Sequence, residues 1–402
     1  MALMPVAEAL ARVLADAAPL PAEDVSLDEA QGRVLAEDLT ALRTQPPADV
    51  SAMDGYAVRA ADVSGAPVTL KVIGEVAAGH PFAGRIGQGE AARIFTGGVM
   101  PDGADTVVIQ ENTRRNGDSV TVEKAAAKGR NVRLAGLDFK QGDVLLEKGR
   151  ALSDRDVMLA ASMNHPRLPV HARPLVAVLG TGDELVMPGN TPAPGEIVYS
   201  NGFALAALAR SAGGIVLDLG IARDNLDDIA AKVRQARSSK ADILLTSGGA
   251  SVGDHDLVQK ALAAEGLDLS FWRVALRPGR PMMHGRLDSM QVLGVPGNPV
   301  SSYVCAFLFL VPLLRKLSGR SDVEHQPEPA ILGRDLPPND ERADYLRATL
   351  EMGPDGLVAT PVRDQDSSLM APLARAGGLL IREPHAPAAE AGSRCRILKF
   401  AF

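Results

Sequence analysis

Apolar residues at Val6, Leu10, Val13 and Leu14, with Glu8, Arg12 and Asp16 elsewhere, predict an amphipathic helix at the start of the chain. The rest of this first segment reads as short helices ending near Leu42, before Pro46 and Pro47 break the pattern. Short β-like runs then alternate with glycine turns, predicting strands at Val68 to Ile73, Ala91 to Phe95, Thr106 to Ile109 and Ser119 to Val122. Helical spacing returns at Ser153 to Met163, with Ser153 as N-cap and Asp156 in the acidic first turn. The β-rich stretch therefore reads as inserted into a helical unit.

The pattern then changes to continuous apolar strands alternating with helices. Strands are expected at Leu175 to Leu179, Ile215 to Leu219, Ile243 to Thr246, Phe271 to Leu276 and Gln291 to Val295, with helices at 202–212, 226–237, 255–264 and 300–317. Strands that are apolar on both faces imply a mainly parallel sheet covered by helices on each side, a three-layer α/β unit. In such sheets the ligand crevice lies beyond the carboxyl ends of the strands. A proline- and charge-containing stretch from Arg320 to Pro329 reads as a linker. Beyond it, Tyr345 to Leu350, a Gly-Pro-Asp-Gly turn at 353–356, Leu357 to Val362 and Arg394 to Phe400 predict a compact C-terminal β domain. The expected division is a discontinuous helical and linker unit (1–45 and 142–172), a β-rich domain (46–141), the α/β domain (173–320) and the C-terminal domain (321–402).

A length of 402 residues requires several cores, and 39 glycines with 28 prolines indicate many tight turns. The net charge of -7 argues against a protein that holds nucleic acid over a broad basic face. Cys305 and Cys395 form no paired spacing, and Cys305 sits in an apolar run as a buried, inert thiol. The seven histidines form no zinc-binding pattern. The longest apolar run, Tyr303 to Leu314, contains Pro312 and is read as a buried helix rather than a membrane span. The N-terminus lacks a secretory pattern, so a cytoplasmic location is expected.

The chemistry concentrates where predicted strands end. Glycine-rich turns occur at 180–184 (Gly-Thr-Gly-Asp-Glu), 247–256 (Ser-Gly-Gly-Ala-Ser-Val-Gly-Asp-His-Asp) and 294–301 (Gly-Val-Pro-Gly-Asn-Pro-Val-Ser). Glycines there let backbone N–H groups approach an oxyanion, although any one such turn also serves simply to join a strand to a helix. Carboxylates accompany them: Asp183 and Glu184, Asp224, Asp254 and Asp256. Magnesium takes one or two carboxylates with water and phosphate oxygens, and Glu184 and Asp256 are the metal candidates. Asp224, directly before a helix, also suits an N-cap. Arg273, Arg277 and Arg280 beside a Pro-Gly turn supply permanent charge and forked donors for an anion, against the alternative of solvated surface charge.

These motifs, with Ser-Ala-Met-Asp-Gly-Tyr-Ala at 51–57, Thr-Gly-Gly-Val-Met-Pro-Asp-Gly-Ala-Asp-Thr-Val-Val at 96–108 and Asn-Val-Arg-Leu-Ala-Gly-Leu-Asp at 131–138, resemble in order and along nearly the whole chain the molybdopterin molybdotransferase (MoeA and gephyrin E-domain) family. The resemblance implies a central domain like those of MoaB and Mog, an inserted β-rich domain and a C-terminal β-barrel-like domain. It implies insertion of molybdate into adenylyl-molybdopterin, with Mg²⁺, to give molybdenum cofactor and AMP. It further implies a homodimer whose site is shared: Glu184, Asp224 and Asp256 from one chain, and Asp54, Thr96, Arg133 and Asp138 from the other, with Asp54, Glu184, Asp224 and Asp256 as the catalytic carboxylates.

On the same basis the pterin lies along Ser247, Gly248, Gly249, Ser251 and Gly253 and along Pro296, Asn298, Pro299 and Ser301, with Arg273, Arg277 and Arg280 on phosphate or molybdate. Those three positions are often lysine in the family, so charge is kept while any role needing a neutral amine is put in doubt. Ser367, beside Asp366 and Ser368, matches a serine-containing family segment, although these residues also suit a cap for the helix running to Arg375. Partners consistent with such a role are a pterin adenylyltransferase and molybdoenzyme chaperones. A non-catalytic pterin-binding scaffold keeps the same fold, and a pterin adenylyltransferase shares its α/β domain, so the fold alone does not separate these from an insertase.

Overall fold

The computed structural model describes residues 3–248 and 257–400. Its centre is a six-stranded sheet in the order Ile215–Ala222, Leu175–Thr181, Ile243–Ser247, Met290–Val295, Met283–Leu287, Asp268–Trp272. The first four strands pair in parallel and the last two join antiparallel. Period-two alternation divides its residues between two cores. Val176, Val178, Ile243, Leu245 and Leu293 face the helices Asn201–Ser211 and Pro299–Leu317. Ala177, Leu179, Leu244 and Val292 face Leu226–Ser238 and Leu257–Ala264. This is the three-layer arrangement expected of strands buried on both faces.

One strand differs from expectation. The run predicted at Phe271 to Leu276 forms an antiparallel edge strand at Asp268–Trp272, paired with Met283–Leu287, which the apolar pattern did not indicate. The hairpin from Met283–Leu287 to Met290–Val295 turns at Asp288, whose φ of 56° the chain accepts because Asp tolerates a left-handed conformation. Arg273 consequently leaves the sheet, with φ of 85°.

The helix Pro299–Leu317 is apolar and long enough to cross a membrane by composition, yet 89% of its most apolar window is buried within the protein. It widens to a π-helical turn over Ala306–Leu310, just before Pro312. Proline has no N–H to donate and its ring crowds the carbonyl four residues back, so the turn expands instead of breaking. Cys305 is fully buried and free, and burial pushes its thiol well above the ordinary range.

Among the described residues the first segment is α-helical only at Val6–Ala15, where Ala9 and Val13 pack into the core of the central sheet. Beyond it one short 3₁₀ helix forms, at Leu27–Glu29, and strands stand where further short helices were expected. Ala22–Ser26 pairs antiparallel with Arg167–His171, and Leu39–Thr40 with Val144–Leu146. These partners lie more than a hundred residues away, so local periodicity carries no trace of them. Ser153 caps Asp154–Ser162 in a reciprocal capping box with Asp156. Leu35, Leu39, Phe139, Leu146, Leu152 and Leu168 share one core, drawn from both sides of the intervening β-rich segment.

That segment forms a six-stranded sheet in the order Thr106–Ile109, Gly55–Val58, Glu90–Ile94, Val68–Val76, Ser119–Val122, Thr113–Asn116. The C-terminal strands close into a barrel, Ala343–Gly353, Gly356–Pro361, Glu328–Leu332, Arg394–Lys399, Gly378–Arg382 and back to Ala343–Gly353. Closure leaves no exposed sheet edge. The short strand Leu276–Arg277 adds in parallel to Ala343–Gly353 and ties the barrel to the α/β unit.

Candidate functional site

The chain leaves Leu175–Thr181 for a strand on one side and then crosses to Ile243–Ser247 on the other, which makes the gap between these two strands a topological switch point. Their carboxyl ends diverge there and leave a crevice. A cavity of about 770 Å³ occupies it, lined among others by Thr181, Glu184, Asp224, Ser247, Asn298 and Ser301. Gly248, Pro296 and Pro299 also line it, so eight residues expected to bind or react meet around one cavity. Gly249, Ser251, Gly253, Asp254 and Asp256 lie outside the described residues.

Two glycines make this geometry possible. Gly182 has φ of 147°, and a Cβ there would stand 2.5 Å from the Glu184 carboxylate. Gly248 has φ of 98°, and a Cβ there would stand 2.6 Å from the Thr181 carbonyl oxygen. An L side chain at either place would be strained by conformation and by contact. Glu184 and Asp224 are both exposed at the cavity wall. The cap of the helix Leu226–Ser238 is Asn225, which accepts a 2.8 Å hydrogen bond from the Asp228 N–H. Asp224 is therefore not that helix's N-cap; its own N–H donates to Asp183 at 3.2 Å.

Two lining residues escaped the sequence reading. Asn201 opens the helix Asn201–Ser211 and donates its side-chain amide to Ser247 Oγ at 3.0 Å and to the Gly297 carbonyl at 2.7 Å. It thereby joins two glycine-rich turns. Tyr199 is buried, and its ring occupies space left by Gly180 and Gly202, where a Cβ would come within 2.4 Å and 1.8 Å of it. Burial pushes its phenol up to about 12, so the hydroxyl stays protonated. The signal available for both was a Tyr-Ser-Asn run directly before a helix of the α/β unit.

Ser367 and Asn298 meet across the join with the barrel, the Asn298 amide donating to Ser367 Oγ at 2.7 Å. The Val300 N–H also donates to the Ser367 carbonyl. Ser367 does not cap the helix Met370–Arg375, which starts after Leu369 without a side-chain cap; Asp366 instead accepts from the Ser368 N–H and hydroxyl. Ser368 and Met370 line the cavity.

The three arginines diverge. Arg277 forms a two-pronged pair with Asp344, with further bonds to Asp340 and Asn339 of the barrel, so the structure engages it there and not on the cavity wall. Arg273 stacks on Trp272 at 4.8 Å. Arg280 is exposed beside the cavity-lining Pro281 and makes no ion pair among the described residues. The described residues also contain no group of three or more His, Cys, Asp or Glu side chains suited to a metal ion.

Asp54, Thr96, Arg133 and Asp138 do not line this cavity. Asp54 and Thr96 flank strands of the β-rich sheet, while Arg133 and Asp138 lie on neighbouring segments outside it. Asp54 accepts from both the N–H and the hydroxyl of Thr96 at 2.8 Å, and these bonds hold its carboxyl below the usual range, aided by the charge of Arg93. Ser51 donates its N–H to Gly98, and Ala52 donates to Asn131. Asp138 donates its N–H to Gln45, and Arg133 pairs in register with Val50. Arg133 and Asp138 are exposed.

Comparison with known proteins gives the same reading along the chain. Residues 4–164 match the MoeA N-terminal region (domains I and II), 177–316 a probable molybdopterin binding domain, and 329–400 the MoeA C-terminal region (domain IV). A molybdopterin molybdenumtransferase of Haemophilus influenzae is 34% identical over 95% of both chains. One from Bacillus subtilis is 34% identical over 98% of this chain and 94% of its own. The molybdopterin biosynthesis MoeA protein of Pyrococcus horikoshii superposes with a TM-score of 0.86 at 30% identity, covering 99% of this chain and all of the other. With relatives of this identity matched over nearly their full length, and with the order of motifs and folded units preserved, the chain belongs to the MoeA family of molybdopterin molybdenumtransferases.

Proposed function

We propose that the chain inserts molybdate into adenylyl-molybdopterin, releasing AMP and molybdenum cofactor. The observation that carries this reading is the switch-point cavity, where Glu184, Asp224, Ser247, Gly248, Asn298 and Ser301 converge in a chain whose relatives bear that transferase name. Backbone N–H groups near Gly182 and Gly248 suit phosphate oxygens, and the hydroxyls of Ser247 and Ser301 suit polar pterin edges. Asn201 holds the two turns in register. Arg280, at the cavity rim, supplies the permanent positive charge, while Arg277 joins the α/β unit to the barrel.

Mg²⁺ fits this donor set. Glu184 and Asp224 line the cavity as exposed carboxylates and would hold a magnesium ion that also takes water and substrate phosphate oxygens. Such an ion, for which the sequence also offers Asp256, would supply charge neutralisation at the pyrophosphate. The chain's own part is to aim those carboxylates and to seat the phosphates while the bond to AMP breaks and molybdate meets the dithiolene sulfurs.

We further propose a homodimer with shared sites. Asp54, Thr96, Arg133 and Asp138 lie off the cavity of their own chain, which supports their meeting the cavity of a partner. The working units are 1–45 with 142–172, 46–141, 173–320 and 321–402, and the location is the cytoplasm. An adenylyltransferase supplies the substrate in this scheme, and a molybdoenzyme chaperone takes the product.

The direct experiment supplies adenylylated molybdopterin and Mg²⁺ to the purified protein and follows AMP release with and without molybdate. Molybdate-dependent release is expected. Tight pterin binding with no release under either condition would replace the transferase reading with that of a binding scaffold. Mixing Asp54→Ala with Glu184→Ala tests the shared site: mixed dimers should recover activity that neither variant has, and no recovery would sink it.

A further inference from the structure

Arg93 lies on the strand Glu90–Ile94, where its partners in register are Tyr56 on one neighbouring strand and Glu75 on the other. Its guanidinium stands 5.3 Å from the centre of the Tyr56 ring and 4.8 Å from that of Phe95. One nitrogen donates to the carbonyl of Gly55 at 3.2 Å, and another to Gln110 Oε1 at 2.8 Å. Gln110 in turn donates its backbone N–H to the carbonyl of Asp54 at 3.1 Å. The arginine thus holds the carbonyl that follows Asp54 and, through Gln110, the residue bonded to the Asp54 carbonyl.

Both hydrogen bonds go to neutral acceptors, and Arg93 makes no ion pair among the described residues. Its charge therefore adds to the two Thr96 hydrogen bonds, which are the main cause, in keeping the Asp54 carboxyl below its usual range. Aromatic faces hold a guanidinium without neutralising it, which a paired carboxylate would not do. A lysine would retain the charge but lose the fork that bonds two acceptors at once.

We infer that Arg93 is a positioning residue for Asp54, fixing its backbone through Gly55 and Gln110 so that its carboxylate meets the N–H and hydroxyl of Thr96. This deepens the functional reading given above and rests on it for the role of Asp54. Arg93 itself need not touch substrate.

The test uses the full-length protein and three variants, Arg93→Gln, Arg93→Lys and Asp54→Asn. The Asp54 carboxyl resonance, assigned by its loss in Asp54→Asn, is titrated by carbon NMR, and molybdate-dependent AMP release is measured in parallel. Arg93→Gln should raise the Asp54 titration midpoint and lower kcat about tenfold with KM little changed, the cost of about 1.4 kcal/mol of lost positioning. Arg93→Lys should restore the midpoint and recover kcat only in part, and it serves as the folded control if the glutamine variant melts early. An unmoved Asp54 midpoint in Arg93→Gln would overturn the inference. Full activity in Asp54→Asn would instead overturn the catalytic reading of Asp54, leaving the titration to judge the structural link by itself.

Discussion

The side-chain amide of Asn298 donates to the hydroxyl of Ser367 at 2.7 Å, joining the turn after the last central strand to a loop of the C-terminal barrel. The barrel thereby takes part in forming the cavity mouth, where Ser368 and Met370 already line the wall. Ser367→Ala removes one hydrogen bond at an exposed position, worth about 1 kcal/mol. The expected result is a KM for adenylylated pterin raised several-fold with thermal stability nearly unchanged. A melting temperature that falls while KM stays fixed would assign the bond to stability alone.

Arg277 bridges the α/β unit to the barrel through Asp344, whose side chain is only 6% exposed while that of Arg277 is 44% exposed. Removing the arginine leaves a nearly buried carboxylate without its counter-charge, although water reaching the arginine side moderates the loss. Arg277→Ala should lower stability by about 1–3 kcal/mol. Molybdate and pterin binding should change less than in Arg280→Ala. Denaturant midpoints and ligand titrations of the two variants decide it; a reversed order would return Arg277 to the anion site.

Glu184→Gln and Asp224→Asn keep size and remove charge at the cavity wall. If both carboxylates serve a magnesium ion, a loss of about 3 kcal/mol in charge stabilisation slows AMP release about 100-fold. Raising Mg²⁺ should recover part of the rate by mass action. Rates that remain low at every Mg²⁺ concentration would point to a role that does not involve the metal.

His325, in the segment leading to the barrel, stacks on Phe307 at 4.1 Å between ring centres and hydrogen-bonds the Phe307 carbonyl through Nε2. Burial moves its imidazole down from 6.5 to about 4. The unfolded chain therefore binds a proton in this window that the folded chain refuses. Stability is full above pH 6.5 and falls as pH drops toward about 4, by up to about 3 kcal/mol for this group. His325→Gln should flatten the loss between pH 7 and pH 5, read as the shift in urea midpoint. An equal loss in the variant would place the acid sensitivity elsewhere.

The sequence by itself determined the character of each unit. Continuous apolar runs at Val176 to Leu179 and Ile243 to Leu245 demand burial on both faces, and the glycine turns after them demand an open approach at the strand ends. Eight of the expected binding or reacting residues accordingly stand on one cavity. Tertiary structure decided what depends on distant partners. Ala22–Ser26 is a strand because Arg167–His171 lies beside it, and Arg277 turns to the barrel because Asp344 is there to receive it. It also placed Asn201 between Ser247 and Gly297, and Arg93 beneath Asp54, through contacts that span up to 96 residues of chain. Periodicity records which face of an element avoids water, whereas a hydrogen bond or an ion pair depends on which other element arrives at that face, and only the folded chain specifies that.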